Sequence, residues 1–298
     1  MKEQQTPPVL PGFVRLGGPE DVTTALGPLA RLVGTWIGNH GWNLIAVPKE
    51  PDKPGGPESF TLLVRPYFEF ITFAPLGAPV PDRGASETLL ISGLEYSLRV
   101  TDALTNQPLH LENGMWLYLN DPQNPQSPTI ARHATVPHGN SVLALGGFSQ
   151  SDGPPDIPTL DSFPVGSPGG MAAGYTDPYI EPLPPAVAAI QPHFIVKNPN
   201  AVLQAAIQEQ TILDTLTLNV SSQTATGGIV NIPFIRQNAN ASAFNATFWI
   251  ETVKDPQTGD QYDQLQYSQQ TNLNFIPRGD GQGLIMWPHV NVNTLVKQ

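Results

Sequence analysis

The chain has 298 residues, of which 27 are glycine, 33 proline and only 13% charged; so many helix breakers and so little surface charge argue against a helical bundle or coiled coil. A net charge of −11 without a basic cluster argues against a nucleic-acid partner and a polybasic membrane contact, and the lack of cysteine excludes disulfides, thiolate chemistry and zinc fingers. A 40% hydrophobic content suffices for a core, and no run approaches the ~20 apolar residues of a bilayer span.

Residues 1–30 read as a loose lead-in with one short helix over 20–32. The polar start lacks the apolar core of a secretion signal, so the expected compartment is cytoplasmic. Strands are expected from Thr35 onward. Phe60, Leu62 and Val64 alternate, and an aromatic run follows over 67–73. Leu94, Tyr96, Leu98 and Val100 then alternate strictly with Glu95, Ser97, Arg99 and Thr101, the period-two mark of a strand with one buried face. A turn over 102–108 leads to a strand over 109–119. A turn over 121–128 precedes a further strand pair, 129–136 and 141–148.

Residues 151–199 differ in kind. They form a long Pro/Gly-rich insertion without a core of its own, of a length that signals function or disorder. It is read as a lid or an oligomer contact within one domain spanning 1–298. Asn198-Pro199-Asn200 starts a short helix over 201–207. Alternation then resumes in Leu216, Leu218 and Val220, in Val230, Ile232 and Phe234, and in Phe244, Ala246, Phe248 and Ile250. A long strand over 262–275 carries Leu265, Tyr267, Leu273 and Phe275 on one parity, and segments 284–286 and 290–296 end the chain. Consecutive strands joined by hairpin turns predict an all-β fold, an antiparallel up-and-down β-barrel of about ten strands.

Six histidines are the main candidates for chemistry: His40, His110, His133, His138, His193 and His289. None forms a His-x-His or HExxH spacing, and nucleophile-elbow and phosphate-loop patterns do not occur. Glu95 and Glu112 fall on neighbouring strands, where solvent-facing residues are a better reading than an acid–base pair. In Leu32–Gly38, a glycine two before Trp36 suits a ring that plugs one barrel end while the glycines let the first strand bend. Phe68, Phe70, Tyr96, Trp116, Phe248 and Tyr267 are candidate aromatic walls.

This Gly-x-Trp segment resembles the start of calycins, the lipocalin and fatty-acid-binding-protein-like barrels. Four landmarks in order resemble the nitrobindin family of haem-binding β-barrels. Leu32 to Gly38 follows that family's Leu-x-Gly-x-Trp-x-Gly-x-Gly opening, with His40 in place of the last glycine. Pro108-Leu109-His110-Leu111-Glu112-Asn113-Gly114 matches Pro-Leu/Met-His-x-Glu-x-Gly throughout. Arg132-His133-Ala134-Thr135, continuing to Gly139, is similar to a His/Gln-x-Thr segment, and Pro288-His289-Val290-Asn291-Val292 resembles the family's ending. The resemblance covers about 30–150 and 210–298.

The resemblance implies haem b with His289 as axial iron ligand, and a peroxynitrite isomerase-like activity if haem is bound. Thr35, His40, His110 and His133 are further cofactor-binding positions. The alternatives are a metal-free carrier of a fatty acid or other lipophilic small molecule, and a structural or interaction protein acting through the insertion, including as a homo-oligomer. His289 shares its parity with Asn291 and Asn293, while Val290, Val292 and Val296 take the other face. If the aliphatic face lined the pocket, His289 would point outward unless the register breaks at Pro288.

Overall fold

Period-two alternation carries most of the described residues into strands. A computed structural model describes residues 24–49, 56–77, 79–82, 89–119, 121, 129–166, 174–190 and 194–298. The strands are β1 (Gly34–Pro48), β2 (Phe60–Pro75), β3 (Val80–Pro81), β4 (Leu90–Asp102), β5 (Pro108–Tyr118) and β6 (Ile130–Val136). They continue as β7 (Asn140–Asp152), β8 (Thr211–Ser221), β9 (Gly228–Asn231), β10 (Asn240–Lys254), β11 (Gln261–Pro277) and β12 (Leu284–Lys297). Ten of them form a closed antiparallel barrel. Its order is β2-β1-β12-β11-β10-β8-β7-β6-β5-β4, and the pairing of β2 with β4 closes it. The short β3 adds to β4, and β9 pairs with β7. Closure satisfies the backbone groups that an open sheet would leave on its edges.

One barrel end is closed by residues 24–32. Leu26, Leu29 and Leu32 enter the interior cluster beside Trp36, which is fully buried and donates its indole N–H to the Leu32 carbonyl at 2.7 Å. The interior parity then reads as the alternation predicts, with Leu94, Tyr96, Leu98 and Val100 inside, joined by Leu216, Leu218, Val220, Phe244, Ala246, Phe248 and Ile250. In β2 the same parity takes Tyr67, Glu69, Ile71 and Phe73 inward, so Phe68 and Phe70 point outward and do not line the barrel. A bulge in β1 between Gly38 and Gly41 makes room for Tyr67, whose ring would meet a Cβ on Gly41 at 2.1 Å. Val230, Ile232 and Phe234 do not form one alternating strand. β9 ends at Asn231 and a helix, Pro233–Asn238, follows, because Pro233 has no N–H to continue the ladder and presets a helical φ.

The described residues of the insertion lie against the outside of the barrel. Ile157, Tyr175, Tyr179, Val187, Phe194 and Val196, with Val202 and Leu203 of the helix Ala201–Ile207, form a second cluster with strand residues of outward parity. Among these are Trp42, Leu44 and Ala46 of β1, Val290 and Val292 of β12, and Phe60 of β2. Trp42 stacks on Phe194 at 4.2 Å. Ile285 and Trp287 join the same cluster although they share the parity of His289, and the register of β12 with β11 runs unbroken through Pro288. The wall made by β2, β1 and β12 therefore changes polarity along its length. Near the plug it is apolar inside. Under the insertion it is apolar outside, with Asn43, Asn291 and His289 on the inner parity.

Residues 1–23 of the lead-in, residues 122–128 of the turn over 121–128, and His193 lie outside the described residues. No helix among the described residues is long and apolar enough to cross a membrane. Replacing Trp36 by alanine should destabilise the barrel by about 3–5 kcal/mol, the range for deleting a buried large aromatic. Equilibrium denaturation measures this, and an unchanged midpoint would mean that Trp36 does not hold the end closed.

Candidate functional site

Alternation along five strands sends polar side chains into the barrel beyond the plug. β5 contributes His110 and Glu112, whose strand partners Val100 and Leu98 are interior. β6 contributes Arg132, between Ile130 and Ala134 of the interior cluster. β2 contributes Tyr67 and Glu69. β11 contributes Tyr267 and Gln269, and β12 contributes Asn293, Asn291 and His289.

The first polar group is a buried ion pair. Arg132 donates from Nη2 to Glu112 Oε1 at 2.6 Å, from Nε to the Tyr96 hydroxyl at 3.2 Å and from Nη1 to Gln269 Oε1 at 2.9 Å. Tyr96 also donates to Glu112 Oε1, and His110 Nε2 lies 3.1 Å from Glu112 Oε2. The guanidinium is enclosed by the rings of Tyr96, Trp116, Phe244 and Phe248, each 5.2–5.6 Å away. Burial alone would raise the Glu112 pKa. Arg132, helped by His110 and Tyr96, outweighs it and holds the carboxyl down at about 2. Arg132 is held above its ordinary value despite burial, by Tyr96 and Glu112, so both members are charged.

The second group has no cation. Glu69 Oε2 accepts from the Tyr267 hydroxyl and from Asn293 Nδ2, both at 2.7 Å, and Tyr267 is 2.7 Å from the Tyr67 hydroxyl. Glu69 Oε1 has no hydrogen-bond partner. Burial pushes this carboxyl up to about 7, and the bonds from Asn293 and Tyr267 offset only part of the shift.

His289 pairs across the sheet with Thr271, which itself faces Phe244 of the interior. Its Nε2 lies 2.8 Å from Asn43 Oδ1, which also accepts from Asn291 Nδ2 at 2.9 Å. An amide oxygen only accepts, so His289 carries its proton on Nε2 and keeps the lone pair on Nδ1. Burial, with His110 and His138 adding to it, lowers its pKa to about 3, so the ring is neutral. His110 and His138 stand 5.3 Å apart, centroid to centroid. Three histidines from β5, β12 and the turn after β6 thus gather on this side of the ion pair. No group of three His, Asp or Glu among the described residues is placed to hold a bare metal ion.

Of the residues singled out from sequence, the fold brings His110 and His289 toward one another inside the barrel. It puts Thr35 on the outer wall, its hydroxyl 3.2 Å from that of Thr72, leaves His40 exposed at the β1 bulge, and leaves His133 exposed opposite Met115. Glu95 faces solvent while Glu112 faces inward, so the two form no acid–base pair. Tyr96, Trp116, Phe248 and Tyr267 belong to the interior cluster. Glu69, Arg132, Asn43 and Asn293 escaped sequence reading. Their signal was a polar residue on the buried parity of an otherwise alternating strand, as in Tyr67-x-Glu69-x-Ile71 and Ile130-x-Arg132-x-Ala134.

No known family's model matches the chain, and no curated protein matches it. Among solved structures, a crystal structure of Rv2717c from M. tuberculosis is 18% identical over 92% of this chain and 97% of that one, with a TM-score of 0.45. The likeness is too distant to inform the site.

The two interior carboxyls set opposite pH dependences. Glu69 holds its proton more tightly folded than unfolded, so its contribution is fully present below its ordinary 4.5 and is lost as pH rises through about 7. The contribution of Glu112 is fully present above its ordinary 4.5 and is lost as pH falls from there toward about 2, and neutral His289 loses its own as pH falls from 6.5 toward about 3. Glu251, buried under the insertion and pushed up to about 8, adds a loss at still higher pH. Glu69→Gln should therefore gain stability relative to the wild type as pH rises from about 4 to about 8. Denaturant unfolding across that range tests it, and parallel curves would refute the assignment.

Proposed function

We propose that the barrel is a ligand-binding protein whose site lies at the histidine-bearing end, and that its ligand is haem b with His289 as axial base. The observation that carries this reading is the state of His289: half-buried, neutral, and turned by Asn43 so that one ring nitrogen is bonded and the other keeps its lone pair. An axial imidazole needs those features, a neutral ring and a hydrogen-bonding partner that fixes its orientation. The donor set fits haem better than a bare ion, since one imidazole with no adjoining carboxylate suits iron that already has four ring nitrogens. His289 would hold the iron, Asn43 would orient the ring, and His110 would face the ligand from β5. When bound, haem supplies an open iron position for small ligands. Tyr67 and Tyr267, buried beside Glu69, would help to keep water out of the site.

A metal-free carrier of fatty acids is the second reading, and the interior favours it less. Carriers of that kind need a cation for the carboxylate. The buried Arg132 is already matched by Glu112 at 2.6 Å, so an entering carboxylate would meet a neutralised pair and the Glu69 carboxyl.

Titration with hemin should give a Soret band that is absent in His289→Ala. Asn43→Leu should weaken binding by roughly 10–100-fold through loss of the orienting partner. His40→Ala and His133→Ala should bind as the wild type does. Undiminished hemin binding by His289→Ala would overturn the axial assignment. Displacement of a fluorescent fatty acid without any hemin binding would favour the carrier.

A further inference from the structure

The outer face of β2, β4 and β5 carries three rows of side chains in register. Phe70, Arg99 and Leu111 form one row, Thr72, Ser97 and Asn113 the next, and Ala74, Glu95 and Met115 the third. Ile37 and Val296 extend the first row across β1 and β12. Phe70, Leu111 and Met115 are 43–47% exposed, far more than large apolar residues need to be on a barrel that buries Leu94, Trp116 and Leu218 completely. The short middle row and Ala74 leave a trough of about 550 Å³, lined by Thr72, Ala74, Glu95, Ser97, Asn113 and Met115.

From this pattern we infer that the face is an interface between two copies of the chain, related by a two-fold axis lying along the Thr72–Ser97–Asn113 row. Such an axis exchanges the first and third rows and keeps each strand opposite itself. It sets Phe70 over the partner's Ala74, a large side chain over a small one that leaves the trough open. It sets Leu111 over the partner's Met115, and Arg99 over the partner's Glu95. Every contact occurs twice, as an isologous interface requires. The charge pattern selects this occupant. Arg99 and Glu95 share one face of β4, and neither takes part in an ion pair within its own chain among the described residues. Their order, cation in one outer row and anion in the other, is complementary to its own two-fold image. The net charge of −11 opposes association at long range. At physiological salt that repulsion is screened beyond about 8 Å, and the short-range pairs decide the outcome. The three rows and their extension offer eleven side chains, fewer than the roughly 20–30 residues a side of a standard interface, so a weak, concentration-dependent dimer is expected. This inference is independent of what the barrel binds.

Sedimentation equilibrium of the full chain from low to high micromolar concentration tests it. The wild type should dimerise. Arg99→Glu and Glu95→Arg should each raise the dimer dissociation constant by roughly tenfold or more, because each places like charges opposite one another twice. The double reversal should restore dimerisation. Both positions are exposed, and circular dichroism checks that each variant is folded. A wild type that stays monomeric overturns the inference, as do single variants that dimerise normally or a double reversal that remains monomeric.

Discussion

The polar interior depends on what covers the outside of the barrel. A strand in a small barrel normally turns its apolar residues inward and leaves the outward ones in water. Here β1, β2 and β12 do so only near Trp36. Beyond the β1 bulge they turn Trp42, Leu44, Val290 and Val292 outward, where Phe194 and Val196 of the insertion and Leu203 of the helix after it share their cluster. Apolar burial is thereby satisfied on the outer side, and the inner parity of the same strands is free to carry Asn43, Asn291 and His289. An insertion lacking this contact would leave a row of aliphatic side chains in water, and the favoured response would be to draw them inside.

Within that interior, two carboxylates are driven to opposite states by their neighbours. Glu112 has a guanidinium, a phenol and an imidazole around it and stays ionised. Glu69 has two neutral donors and keeps a proton near neutral pH. Pushing a pair of buried carboxyls apart in this way leaves one acid and one base in the same compartment. The ion pair is weak evidence of stability, since desolvating both members is costly. Its ring enclosure has a clearer consequence. Arg132 fills the cross-section among Tyr96, Trp116, Phe244 and Phe248, and so separates the apolar plug from the polar compartment beyond it.

The strands were legible because alternation is a local property. Leu94 to Val100 and Leu216 to Val220 follow it without interruption, and hairpin turns between such segments leave few topologies other than a closed meander. Alternation failed where another residue type overrode it, as at Pro233, or where both parities were apolar, as in the aromatic run of β2. It also could not say which face of β12 is inside. Val290 and Val292 read as a pocket lining when the strand is considered alone. Only the packing of a segment about a hundred residues earlier makes them an outer face. Glu69 and Arg132 were missed for a related reason: a charge on a buried parity reads as an error in the pattern until its partners on distant strands are known.

The same cover fixes the register on which the histidine site depends. His289 meets Asn43 because β1 and β12 pair with Asn43 opposite Asn291 and Leu44 opposite Val290. A slip of one residue would turn every side chain of β12 to the other face. It would expose His289 outside and drive Val290 and Val292 inward among Asn43, Glu69 and Tyr267. On a wall whose two faces were equally polar such a slip would cost little. Here it would also take Val290 and Val292 out of their contact with the insertion and leave apolar surface there unmatched. The insertion therefore acts on the site from the far side of the wall, by making a single pairing of β1 with β12 much more favourable than its neighbours.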